Sequence, residues 1–98
     1  MADKKQLERL SEAQAAELMS SLPGWTLEGE AIARDFDFKD FRASLAFVES
    51  VADIAEEQDH HPDIVISYSR VRLFLSTHKV GGLTKKDFAL ASAIDRLL

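Results

Sequence analysis

Histidine is scarce in this chain, with three in 98 residues. Two of them, His60 and His61, stand side by side in "EEQDHHPDI", immediately before Pro62; the third is His78. An imidazole's ordinary pKa of about 6.5 keeps acid and base forms accessible near neutral pH, so imidazoles gathered from separate segments are equipped to move protons on a bound molecule. Carboxylates flank them, Glu56 and Glu57 before the pair and Asp87 after His78. Convergence of all three histidines on one metal is hard to arrange when two are adjacent on extended backbone, and no metal is expected. The chain has no cysteine, which removes disulfides, thiolate metal sites and cysteine nucleophiles and points to a reducing cytoplasm.

Each of these residues also has a structural reading. His60, near a helix C-terminus, complements the dipole there. Asp87 lies three residues after Thr84, where a first-turn carboxylate contributes about 0.5–1 kcal/mol to a capped helix; alternatively it reaches the histidines and holds one ring in a single tautomer. Glu56 and Glu57 gain nothing from the dipole at a helix C-terminus, where they read as solvated groups. Trp25, beside Gly24, reads as a core residue more often than as a platform for a ligand. Arg34 and Arg72 read as solubilising groups on a sheet.

The elements that must position these groups follow from periodicity. In "SEAQAAELMSSLPGW", Ser11 and Gln14 form a capping box, Ala15, Leu18, Met19 and Leu22 make one apolar stripe, and Pro23–Gly24 stop the helix. "WTLEGEAIARDFDF" reads as two strands around a Glu28–Gly29–Glu30 turn, with Ile32, Phe36 and Phe38 on one side and Arg34 as the exception. From Lys39 to Gln58 the period is helical, with Phe41, Leu45, Val48, Ala52 and Ala55 as the expected buried face. Pro62 ends any helix before it, and strands follow in "DIVISY" and "VRLFLST". A last helix, capped by Thr84 after Gly81–Gly82, is expected to bury Phe88, Ala91, Ile94 and the C-terminal leucines.

The order α-β-β-α-β-β-α, with both strand pairs joined by short turns, predicts an α+β domain: a four-stranded antiparallel sheet with three helices packed on one face. A second hairpin turning at Ser69–Arg70 would set Tyr68 opposite Val71, Ile66 opposite Leu73, Ile64 opposite Leu75, Val65 opposite Phe74 and His61 opposite His78. One face would then carry Ile64, Ile66, Tyr68, Val71, Leu73 and Leu75, and the histidines would lie on the open side with Asp63, Ser67, Arg72 and Ser76.

Size and composition fit a single domain over residues 11–98 behind a flexible polar lead-in, residues 1–10. Twelve basic residues against 17 acidic give a net charge of −5, and no basic stripe with interleaved aromatics is present, so no direct nucleic-acid contact is expected. The first residues lack the apolar core of a signal peptide, and no run approaches the ~20 apolar residues of a membrane span; no membrane association is expected.

Glu56, His60–His61–Pro62, Tyr68, His78 and Asp87 form a pattern at fixed spacing that resembles the pterin-4a-carbinolamine dehydratases. Gly24–Trp25, "FDFKDF" and "LSTH…GGL" extend the likeness from about Ser11 to the end. The resemblance implies the α-β-β-α-β-β-α fold. It also implies dehydration of 4a-hydroxytetrahydropterin to quinonoid dihydropterin, recycling the cofactor of aromatic amino acid hydroxylases, with the pterin as substrate and no cofactor. Carried over, His60, His61, His78 and Asp87 become catalytic, with His61 and His78 flanking the reacting edge and His60 binding or relaying. Glu56, Pro62, Trp25, Ser76 and Thr77 become substrate-binding. The family forms dimers and tetramers, so a homodimer or homotetramer is implied, with a hydroxylase as functional partner. The alternative is a non-catalytic binding module, since some members act as dimerisation cofactors of a homeodomain transcription factor.

Overall fold

The computed structural model describes residues 8–98. Of the expected lead-in over 1–10, residues 1–7 lie outside the described residues, while the Leu10 N–H donates to the Leu83 carbonyl at 2.8 Å. The elements are α1 (Glu12–Met19), β1 (Thr26–Glu28), β2 (Ala31–Asp37), α2 (Phe41–Gln58), β3 (Asp63–Ser67), β4 (Arg70–Leu75), a 3₁₀ turn (His78–Val80) and α3 (Lys85–Asp95). The four strands form one antiparallel sheet in the order β1-β2-β4-β3. Among the described residues no helix is long and apolar enough to cross a membrane.

Local sequence accounts for the helix boundaries. Ser11 and Gln14 form the capping box of α1, with Gln14 N–H to Ser11 Oγ at 3.1 Å and Ser11 N–H to Gln14 Oε1 at 2.9 Å. The Asp40 carboxylate accepts the Ala43 N–H at 2.8 Å and starts α2. That helix ends where Asp59 adopts the left-handed conformation (φ 51°), which aspartate tolerates better than most residues. The Asp59 and His60 N–H groups then return to the Glu56 and Ala55 carbonyls, so the chain leaves the helix sharply just at the histidine pair.

The core lies between one sheet face and the helices. Ile32 and Phe36 of β2, with Val71, Leu73 and Leu75 of β4, meet Val51 of α2 and Phe88, Leu90, Ala91 and Ile94 of α3 in a single cluster. Each of these side chains larger than alanine contributes about 1.5–3 kcal/mol on full burial. On the opposite face, cross-strand neighbours are ion pairs, Asp35 with Arg72 and Asp37 with Arg70, both at 2.7 Å, and these hydrogen bonds hold the two guanidinium groups more firmly protonated. Arg34, the exception on the apolar side, is satisfied by Asp95 at the end of α3 at 2.9 Å.

Three expectations need correction. The second hairpin turns at Tyr68–Ser69, with Tyr68 at φ 52°, so Ser67 faces Arg70, Ile66 faces Val71 and Ile64 faces Leu73. The register differs from the expected one by two residues, which preserves the face assignment but carries Tyr68 out to 69% exposure. The buried face of α2 is Ser44, Phe47, Val51 and Ala55, whereas Phe41, Leu45 and Ala52 of the expected face are exposed. Phe47 draws the helix round because its ring packs on Phe36 and Phe38, with centroids 4.7 and 4.9 Å away. Leu97 and Leu98 lie beyond the end of α3 and are exposed, not buried.

Candidate active site

The three histidines do converge, though not across a strand ladder. Strand β3 begins at Asp63 and β4 ends at Leu75, so neither His61 nor His78 is in the sheet. His60 and His61 occupy the link from α2 to β3, and His78 opens the 3₁₀ turn after β4. Adjacent antiparallel strands bring the start of β3 and the end of β4 to the same end of the sheet, and α3 begins there as well. A cavity of about 330 Å³ results, lined by all three histidines together with Asp59, Ser76, Thr77, Lys79 and Lys86. A second concavity, about 400 Å³ between α1 and the Gly29–Glu30 turn, is lined by no histidine and by none of the expected site residues.

His60 is held by a network with little freedom. Its Nε2 lies 2.6 Å from Asp87 Oδ1, and the two side chains are 11% and 0% exposed. The other oxygen, Asp87 Oδ2, accepts the Thr84 N–H and the Thr77 hydroxyl, both at 2.9 Å. Thr77 Oγ1 also lies 2.9 Å from Thr84 Oγ1, and the Lys86 N–H donates to Thr84 Oγ1 at 3.2 Å. Each hydroxyl has one proton, so the chain has one direction: Thr84 O–H donates to Thr77, and Thr77 O–H donates to the carboxylate. An acceptor at Oδ1 requires the His60 proton on Nε2, which leaves Nδ1 as the nitrogen with an available lone pair whenever the ring is neutral. No buried side-chain nitrogen or oxygen among the described residues lacks a partner, so the network is closed.

His61 has a looser tether, Nε2 to Glu56 Oε2 at 2.5 Å, with 55% and 77% of the two side chains exposed. His78 is exposed at the cavity wall.

Asp87 therefore fills both roles open at the level of sequence: it completes the Thr84 capping box of α3 and it fixes the His60 ring. Ser76 and Thr77 line the cavity, but the Thr77 hydroxyl is committed to Asp87. Glu56 reaches the site only through His61, and Pro62 lies outside the cavity lining. Trp25 is in the core, 3% exposed, with its Nε1–H donating to Asp95 Oδ1 at 2.9 Å and its ring edge-on to Phe36; it does not line the cavity. Sequence reasoning missed Asp59, Lys79 and Lys86. The available signal was adjacency, since each neighbours a histidine or aspartate already singled out.

An α+β sandwich with a histidine–carboxylate pocket at one end of its sheet is the class that fold and site define. The chain belongs to the pterin 4 alpha carbinolamine dehydratase family, whose model matches residues 8–97. It is 56% identical over 90 residues to a Chloroflexus aurantiacus homologue named pterin-4-alpha-carbinolamine dehydratase, covering 92% of this chain and 97% of that one. A Thermomicrobium roseum homologue of the same name is 49% identical over 89 residues, covering 91% and 96%. Among solved structures, a transcriptional coactivator/pterin dehydratase from Brucella melitensis superposes with a TM-score of 0.86 at 38% identity, covering 92% of this chain and 98% of that one. A pterin dehydratase-like protein identified as a RuBisCO assembly factor in the alpha-carboxysome shares the fold alone, at 22% identity and a TM-score of 0.61.

Proposed function

We propose that this chain dehydrates 4a-hydroxytetrahydropterin to quinonoid dihydropterin. The observation that carries the reading is the buried His60–Asp87 pair opening into a cavity shared with His61 and His78. The substrate has a hydroxyl on C4a and a hydrogen on the adjacent N5. Loss of water breaks the C4a–O bond, forms the C4a=N5 double bond, places one proton on the departing oxygen and removes one from N5. His60, presenting Nδ1, takes the N5 proton; this moves it from the binding or relay role expected from sequence to that of base. His61 and His78 flank the reacting edge; one of them, as imidazolium, gives its proton to the hydroxyl and becomes neutral, while His60 becomes the imidazolium and returns its proton to solvent after release. Glu56 orients His61 by accepting from its Nε2–H. Asp59, the one carboxylate lining the cavity among the described residues, suits the N–H donors of the pterin's aminopyrimidinone edge. The proton balance closes within the protein, and each positioned acid or base contributes about 10² to 10⁴ in rate. A pterin-dependent aromatic amino acid hydroxylase is the enzyme class that would supply such a substrate.

The test is stopped-flow measurement of quinonoid dihydropterin formation from chemically prepared 4a-hydroxytetrahydropterin. The parent should accelerate it, and His61→Ala and His78→Ala should each be slower by at least about tenfold. No acceleration by the parent removes the reading, and two variants as fast as the parent remove the role given to these rings.

Self-association is part of the same proposal, as a homodimer or homotetramer. Phe41 and Leu45, 46% and 38% exposed, lie on an uncovered face of α2, and Val65, 52% exposed, lies on the edge strand β3. Apolar helix faces and free strand edges of this kind are commonly covered by another subunit.

A further inference from the structure

We infer that the pocket selects pterins whose side chain carries an anionic group, a phosphate ester or a carboxylate, through Lys79 and Lys86. The inference rests on the pterin reading above and goes beyond it to the part of the substrate that does not react. Both lysines line the histidine cavity. Among the described residues neither takes part in an ion pair, which is equally true of Lys39, Arg42, Lys85 and Arg96; the distinction of Lys79 and Lys86 is that they line the histidine cavity. Lys86 occupies the second position of α3, where a cation opposes the helix dipole, so its placement does not serve the helix. Nor is the helix terminus itself the anion site: the N–H groups of Thr84, Lys86 and Asp87 are already donated within the capping network.

Position favours a side-chain subsite. Lys79 directly follows His78 and Lys86 directly precedes Asp87, and both line the cavity together with the three histidines. In a pterin, C6 is bonded to N5, so the substituent at C6 leaves from the reacting edge. Asp59, the carboxylate of the lining, suits the N–H donors of the aminopyrimidinone ring, which leaves the ammonium groups for the substituent. The chain's net charge of −5 would repel an anion at long range. At physiological salt, however, fields from distant carboxylates decay over about 8 Å, and local cations decide the outcome.

The experiment compares three stable ligands by calorimetry in low-salt buffer: dihydroneopterin, dihydroneopterin monophosphate and a dihydropterin with a carboxylate side chain. At least one anionic ligand should bind about tenfold more tightly than dihydroneopterin, and the ratio should shrink toward about threefold in half-molar salt. Which of the two anions gains identifies the group recognised. In Lys79→Ala/Lys86→Ala the ratio should fall to near one, and Lys79→Arg/Lys86→Arg should keep it. Equal affinity for all three ligands in the parent, or a preference that survives the double alanine variant, overturns the inference while leaving the dehydratase reading intact. Failure of all three ligands to bind overturns both.

Discussion

Replacement of Asp87 by asparagine, which exchanges one oxygen for a nitrogen, should reverse the tautomer of the His60 ring. In the parent, Asp87 Oδ1 faces His60 Nε2, and Oδ2 faces two donors, the Thr84 N–H and the Thr77 hydroxyl. The backbone N–H of Thr84 cannot accept, so the asparagine must keep its oxygen on that side and turn its NH₂ toward His60. Nε2 must then accept, and the proton of neutral His60 moves to Nδ1. The pterin meets a donor where the mechanism requires a base.

The energetic cost is modest. Three hydrogen bonds to a carboxylate, about 1.5–3 kcal/mol each, become neutral ones of about 0.5–1.5 kcal/mol. Part of that loss is offset because a fully buried charge, which costs several kcal/mol to desolvate, disappears. The net destabilisation should be about 1–2 kcal/mol, within the 5–15 kcal/mol of a typical domain, so the variant stays folded. Alanine would instead strand three buried donors at about 1–3 kcal/mol each, comparable to the whole stability, and is the wrong choice. Imidazole ¹⁵N chemical shifts should report the Nε2–H tautomer in the parent and the Nδ1–H tautomer in Asp87→Asn. Stopped-flow dehydration should slow by about 10² to 10⁴, the contribution of a positioned base. Refutation would come from a ring that keeps its proton on Nε2, or from a rate within about threefold of the parent in a variant whose ring has reversed.

Glu56→Gln should change stability by less than about 1 kcal/mol in urea unfolding, because its pair with His61 is largely solvated, while slowing dehydration by no more than about tenfold. Trp25→Phe should cost about 2–3 kcal/mol in the same assay, through loss of the bond to Asp95 and of buried ring volume, and leave pterin affinity by calorimetry unchanged; a large affinity loss would return Trp25 to the pocket. Phe41→Asp with Leu45→Asp should yield a smaller assembly by analytical ultracentrifugation, and an unchanged sedimentation coefficient would show that this face of α2 is not the interface.

Signals within a few residues were legible in the chain. The Ser11–Gln14 and Thr84–Asp87 capping boxes and the turn at Gly29 all stand where local chemistry puts them. Tertiary choices were not legible. Helix α2 offers two apolar stripes, and periodicity cannot say that contact between Phe47 and the rings of Phe36 and Phe38 selects one of them. The Tyr68–Ser69 turn places a bulky aromatic residue at positive φ, where sequence statistics would put glycine or asparagine, so the hairpin register was open to a slip. The grouping of the histidines survived that slip because it depends on strand ends meeting, not on residue-by-residue pairing.

The pair of readings for Asp87 illustrates why capping and catalysis are hard to separate by eye. A carboxylate at the third position of a helix is useful to the cap because two or more donors converge there, and the same convergence fixes which of its oxygens remains for a ring. Here the cap takes Oδ2, so Oδ1 is left for His60 and the tautomer follows. The start of α3 thus acts as the positioning device for the imidazole. Loosening the cap should disturb proton transfer even when no residue lining the cavity is changed. Thr84, fully buried and outside the cavity lining, is where that coupling is most exposed to measurement: removal of its hydroxyl takes away the partner that orients Thr77.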